Sequence, residues 1–214
     1  MSLVQYWPEF LTMALTHLFA VASPGPDFAI VMKHSISYGK RVAIITSAGI
    51  GAAIFLHVSY ALAGIGVIVK SSPMIYQGLM LVAALFLLYL GYGAVKSKPA
   101  GELAIAGFEK SKTISDKKAF MLGFLTNGLN PKATVFFLSL FTVIVDIETP
   151  FIIKGAYGVY LAVATFVWFL FLSLMLTKPN VRQLFARNGH IFDRVMGAVL
   201  ILLALNILLT EFII

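Results

Sequence analysis

Two long apolar segments of this chain are each interrupted near the middle by a proline motif, Ser23-Pro24-Gly25-Pro26-Asp27 in the first and Asn127-Gly128-Leu129-Asn130-Pro131-Lys132 in the second. Each interruption carries the ionisable residue nearest the centre of its segment, Asp27 or Lys132. Proline lacks an amide hydrogen and its ring collides with the preceding helical turn, so neither motif can lie inside an unbroken helix. In hydrocarbon, the backbone groups freed by a break are tolerated only where protein or a cavity covers them. Two such breaks at corresponding places in the halves of a chain point to a substrate site at mid-membrane.

The rest of the composition agrees with a membrane setting. Hydrophobic residues make up 60% of the 214 positions, charged residues 12%, and mean hydropathy is +0.94, outside the range of soluble domains. A helical crossing needs about 20 apolar residues, and six such spans are predicted, at 9–37, 42–69, 72–95, 119–145, 150–176 and 194–214. Pro73, Pro150 and Pro179 fall at their edges, where proline starts or stops helices. Ala20-Val21-Ala22 resembles a signal-peptidase site, but residues 1–8 hold no Lys or Arg and the apolar run resumes at Phe28, so the first segment is read as a retained span. The absence of cysteine excludes a disulfide framework and thiolate metal or redox chemistry.

A net charge of +7 would suit nucleic acid if it lay on a polar domain surface. Here it lies in connections between spans. Lys33, Lys40 and Arg41, then Lys96, Lys98, Lys110, Lys112, Lys117 and Lys118, then Lys178, Arg182, Arg187 and Arg194 fall in the first, third and fifth connections, leaving only Lys70, Lys132 and Lys154 elsewhere. The positive-inside bias therefore places those connections in the cytoplasm and both termini outside.

The polar stretch 96–118 reads as a cytoplasmic linker between repeat one, 1–95, and repeat two, 119–214. Three spans per half force the second half to enter the membrane upside down, and placing Pro26 over Pro131 aligns the two breaks. The predicted fold is a single all-α transmembrane domain of six helices in two inverted three-helix repeats, with the first and fourth helices broken.

The break residues have a definite chemistry. Half-helices beginning at Pro26 and Pro131 present free N–H groups and a positive dipole end, which suit a carboxylate. Asn130 is placed to cap the second. Asp27 supplies the opposite charge, for an ammonium group or a proton. Pro24, Gly25, Pro26, Asp27, Asn127, Asn130, Pro131 and Lys132 are the candidate site residues, and together they complement a zwitterion. A direct Asp27–Lys132 pair that holds the repeats together is the structural alternative, weighed against the expense of isolated charges in a span. His17 and His57 are candidates for lining the pathway, with packing the favoured reading for His57 because no second ligand recurs at i+3 or i+4. His34 and His190 are expected at the interface. Small residues at Ser47, Ala48, Gly49, Gly51, Ala52 and Ala53, and at Gly91 and Gly93, mark close helix packing and are compatible with a homodimer. Aromatics such as Phe136, Phe137 and Phe169 are read mainly as packing or lipid-facing residues, with one or two of them left as candidates for the pathway.

The two proline motifs at this separation, with Tyr89-Leu90-Gly91-Tyr92 closing the third span and Phe192-Asp193-Arg194-Val195-Met196-Gly197-Ala198 opening the last, resemble the LysE/RhtB superfamily of bacterial amino-acid exporters along nearly the whole chain. The resemblance implies export of amino acids from the bacterial cytoplasm across the inner membrane, by proton antiport, with the threonine and homoserine branch most similar. It implies no cofactor and no enzymatic activity, and no Ser-His-Asp grouping, HExxH or nucleotide loop argues otherwise. A passive channel and a divalent-metal exporter of the same superfamily are the alternatives.

Overall fold

The computed structural model describes residues 3–23, 25–71, 73–98, 114–176 and 178–212. Pro24 and most of the expected linker, 99–113, lie outside the described residues. Among the described residues every regular element is a helix and none is a strand. A short 3-10 turn, Leu3–Tyr6, leads into α1 (Trp7–Ala22), α2 (Pro26–Ser37), α3 (Lys40–Ser71), α4 (Pro73–Val95), α5 (Asp116–Gly128), α6 (Pro131–Val143), α7 (Phe151–Met175) and α8 (Pro179–Phe212).

Prolines set half of these starts. Pro26, Pro73, Pro131 and Pro179 each occupy the first helical position, where the missing N–H has no carbonyl to bond. Asn130 caps α6 with its side-chain oxygen, which accepts from the Lys132 amide at 3.0 Å. Ser115 does the same for α5 through the Lys118 amide. At the other break Gly25 is extended and offers α2 no side-chain cap.

By length and composition, α3 over Lys40–Gly64, α7, and α8 over Asp193–Thr210 can each cross a membrane. The pair Val4–Ala22 and Pro26–Ser37 is apolar and long enough only when taken together, and bends by 54° at the break, the geometry of a broken span or of a re-entrant loop. Met80–Val95 and Lys132–Val143 are apolar but shorter.

Two boundaries differ from those predicted. The fifth connection, expected as a loop up to 193, is helical from Pro179 and continues without interruption into the last span. Proline at its first position starts the helix there, and the basic residues that marked it as a loop sit on a helix equally well. The second half likewise begins its helix at Asp116, inside the expected linker, because Ser115 supplies the cap.

Close approaches between helices occur where glycine allows them. A Cβ on Gly49 would lie 2.1 Å from the Phe120 carbonyl oxygen, and one on Gly123 would lie 2.1 Å from that of Thr46, so α3 and α5 touch backbone to backbone. Gly91 on α4 and Gly197 on α8 meet in the same way, each facing the other's carbonyl oxygen, at 2.8 and 2.6 Å. Small residues at such crossings replace the hydrophobic driving force that lipid cannot provide. Met13, Ile54, Leu87, Phe136, Phe137, Leu140, Leu161 and Leu200 form the main core, drawn from both halves of the chain. Outward residues such as Val159, Val163, Val167 and Phe171 are exposed and apolar, as a lipid-facing helix surface requires.

Candidate functional site

The two breaks come together. Asn127, at the end of α5, donates from Nδ2 to Asp27 Oδ2, at the start of α2, at 2.9 Å. Asn127 is itself held by His57 on α3, whose Nε2 lies 3.1 Å from both its backbone and its side-chain oxygen. His57 is fully buried, stacks on Phe137 at 5.4 Å and bonds Tyr60 through Nδ1. It is not among the residues that line the cavity between the breaks; its contacts are Asn127, Tyr60 and Phe137.

A cavity of about 70 Å³ lies between the breaks. Gly25, Pro26, Asp27, Asn127, Asn130 and Lys132 line it, as does His17, which bonds Thr165 through Nε2 at 2.9 Å. Phe136, Phe137 and Phe169, read from sequence mainly as packing or lipid-facing, are cavity walls as well. They occupy inward positions of α6 and α7, which only the packing of those helices reveals. His34 lies in the last turn of α2, buried and bonded to Thr46 at 2.6 Å.

The two ionisable groups are not paired with each other. Among the described residues the one ion pair is Arg41–Asp116, on the surface. The Asp27 Oδ1 atom is buried and has no hydrogen-bond partner, a costly arrangement that a bound molecule would relieve. The Lys132 ammonium donates instead to Ser23 Oγ at 3.2 Å. Ser23 in turn donates to Asp193 Oδ1 at 2.6 Å, and Ser97 donates to Asp193 Oδ2 at 2.7 Å. The structural alternative of a direct Asp27–Lys132 pair is thus replaced by a chain, Lys132 to Ser23 to Asp193 to Ser97.

That chain borders a second, more open cavity of about 420 Å³, lined by Tyr89, Leu90, Tyr92, Gly93, Ala94, Ser97, Lys132 and Asp193. Lys132 and Leu90 line both cavities. Sequence reasoning missed Asp193, Ser97 and Ser23 as site residues, although Asp193 and Ser23 stood in motifs already singled out.

Size bears on what this conformation can hold. A cavity of about 150 Å³ accepts benzene and one of about 10–15 Å³ a single water. The inner cavity thus has room for several waters but must expand to enclose an amino acid, whereas the outer one already has the space. No group of three or more His, Asp or Glu side chains is placed to hold a metal ion among the described residues.

Residues 18–211 match the LysE type translocator family. The chain is 27% identical over 189 residues to a threonine efflux protein of Escherichia coli strain K12, covering 88% of this chain and 92% of that one. A threonine efflux protein of Salmonella typhi is 26% identical over the same shares. A leucine efflux protein of Salmonella choleraesuis is 28% identical over 156 residues, 70% of this chain and 67% of the relative. No solved structure gives a significant match.

Proposed function

We propose, from the premise that this chain belongs to the LysE type translocator family and is a transporter rather than an enzyme, that it exports small neutral amino acids of the threonine and homoserine kind across the bacterial inner membrane. The observation that carries the reading is the separated pair of opposite charges on one cavity: the unpartnered Asp27 Oδ1 and the Lys132 ammonium. A zwitterion satisfies both at once. Its ammonium would meet Asp27. Its carboxylate would meet Lys132 at the N-terminal end of α6, whose dipole favours the same sign. A bare cation would satisfy Asp27 and be opposed by Lys132.

The remaining expectations belong to the same proposal. Six spans form two inverted repeats related by an axis passing between α4 and α8. Two same-position pairings support this: Gly91 meets Gly197, and α3 packs along α7 with Gly51 against Ala162 and Gly158 against Val58. Both termini are extracytoplasmic, so the outer cavity opens to the cytoplasm. Transport is by alternating access, because the inner cavity is too small for substrate in the present state. A proton entering from outside would protonate Asp27, release the ammonium and couple export to the proton gradient. The small-residue helix faces leave a homodimer open.

Competition in proteoliposome counterflow tests the charge complementarity. Threonine and homoserine should compete with labelled threonine, whereas N-acetyl-threonine and threonine amide should each compete at least tenfold more weakly. Equal competition by the blocked analogues would overturn zwitterion recognition, and flux that fails to saturate would favour a channel.

A further inference from the structure

We infer that the Asp193 carboxylate is the latch between the outer and inner cavities and the first group to receive the ammonium of an entering substrate; the receiving role rests on the proposed amino-acid reading, the latch on geometry alone.

The four bonded groups come from four separate places in the chain. Ser23 caps the end of α1, Ser97 follows α4, Lys132 lies in the first turn of α6 and Asp193 lies within α8. They therefore tie both halves of the molecule together at one point. Ser23 lines only the inner cavity, Ser97 and Asp193 line only the outer one, and Lys132 lines both. The Ser23–Asp193 hydrogen bond, 2.6 Å long, consequently runs from one cavity to the other. Anything passing between them along the shared Lys132 wall must separate those two groups.

Chemistry indicates what separates them. The Ser23 hydroxyl stands between a cation and an anion that do not touch, accepting from Lys132 and donating to Asp193. An amino acid carries the same two functions with full charge: a carboxylate acceptor for Lys132 and an ammonium donor for Asp193. Both present bonds are charged on one side only; the substrate replaces each with an ion pair charged on both sides, which is the stronger arrangement, so it displaces the hydroxyl and the latch opens as it binds. Ser97 holds the second Asp193 oxygen at 2.7 Å, and Arg194 Nε donates to the Ser97 carbonyl at 3.2 Å, so the carboxylate keeps its orientation while Ser23 leaves. The ammonium then passes from Asp193 to the unpartnered Asp27 Oδ1, with Lys132 holding the carboxylate throughout.

The absence of cysteine from the chain makes the test clean. A single cysteine at Ala133, on the inner cavity wall, reports access to that cavity through its rate of reaction with a charged, membrane-impermeant thiol reagent in sealed vesicles of both orientations. Ser23→Ala and Ser97→Ala, each introduced separately, should raise the rate about tenfold or more from the side of the outer cavity and leave it unchanged from the other. Unchanged rates in both variants, with their helical circular dichroism intact, would overturn the latch, as would acceleration from the opposite side alone. Threonine added to the Ala133→Cys protein should slow the reaction, and in an Asp193→Asn background the same protection should need about tenfold more threonine. An equal requirement would overturn the receiving role. If the serine variants accelerate labelling but threonine, homoserine and leucine never protect, the latch stands and the amino-acid reading falls.

Discussion

Replacing Asp27 by asparagine exchanges one carboxylate oxygen for an amide nitrogen at nearly constant volume, so its effect isolates charge. In the native protein Oδ2 accepts from Asn127 Nδ2 at 2.9 Å, while Oδ1 is buried, unpartnered and on the cavity. The asparagine oxygen must stay toward Asn127, because turning it would set two amide donors face to face. The new NH₂ group then occupies the Oδ1 position and offers a donor where the substrate ammonium needs an acceptor. A hydrogen bond involving a charged group contributes about 1.5–3 kcal/mol, and each 1.4 kcal/mol is tenfold in affinity. The KM for threonine counterflow in proteoliposomes should therefore rise about 10- to 150-fold, with thermal stability held or improved because a buried charge is removed. Stimulation by an inward proton gradient should disappear in the same variant. A KM within threefold of the native value would refute the assignment of Asp27 to the ammonium, and retained gradient stimulation would refute its proton-carrying role.

Other substitutions separate architecture from recognition. Gly49→Ala and Gly123→Ala would each put a Cβ about 1.3 Å inside ordinary contact with a backbone oxygen; each should cost about 1–3 kcal/mol and lower the thermal midpoint of the purified protein, whereas Gly155→Ala, which meets nothing within 4 Å, should not. His57→Ala strands the Asn127 side-chain oxygen, the backbone oxygen keeping the Asn130 amide, and empties the stack on Phe137, so counterflow KM should rise together with a stability loss of about 1–3 kcal/mol. Asn130→Ala removes the α6 cap at about 1 kcal/mol; Asn130→Asp keeps an acceptor there and should recover most of that stability in the same melt.

The helix starts at the two breaks were legible because proline and its capping neighbours act locally: Pro26 and Pro131 announce helix starts whatever surrounds them, whereas Pro179 reads only as the edge of a segment. The extent of the last helix was not legible. Arg182, Arg187 and Arg194 signal a cytoplasmic position, and that signal is the same for a loop as for a helix running on past the apolar stretch. Within the site, Asp27 and Lys132 stood out because a charge is expensive mid-span. Asp193 sits at the edge of a span among basic residues, where a charge is inexpensive, and its partners Ser23 and Ser97 lie 170 and 96 residues away. Only tertiary packing brings that carboxylate to Lys132. His57 was judged by its neighbours in sequence, yet its partner Asn127 is 70 residues distant. The same limit explains why Phe136, Phe137 and Phe169 were not separated from the lipid-facing aromatics.

The most direct test of the exporter reading is efflux from proteoliposomes preloaded with labelled threonine, homoserine or lysine, measured with and without an imposed inward proton gradient. Saturable efflux of threonine or homoserine, accelerated by the gradient and slower for lysine, is the predicted result. Flux that does not saturate and ignores the gradient, or no flux of any amino acid from vesicles containing folded protein, would contradict it.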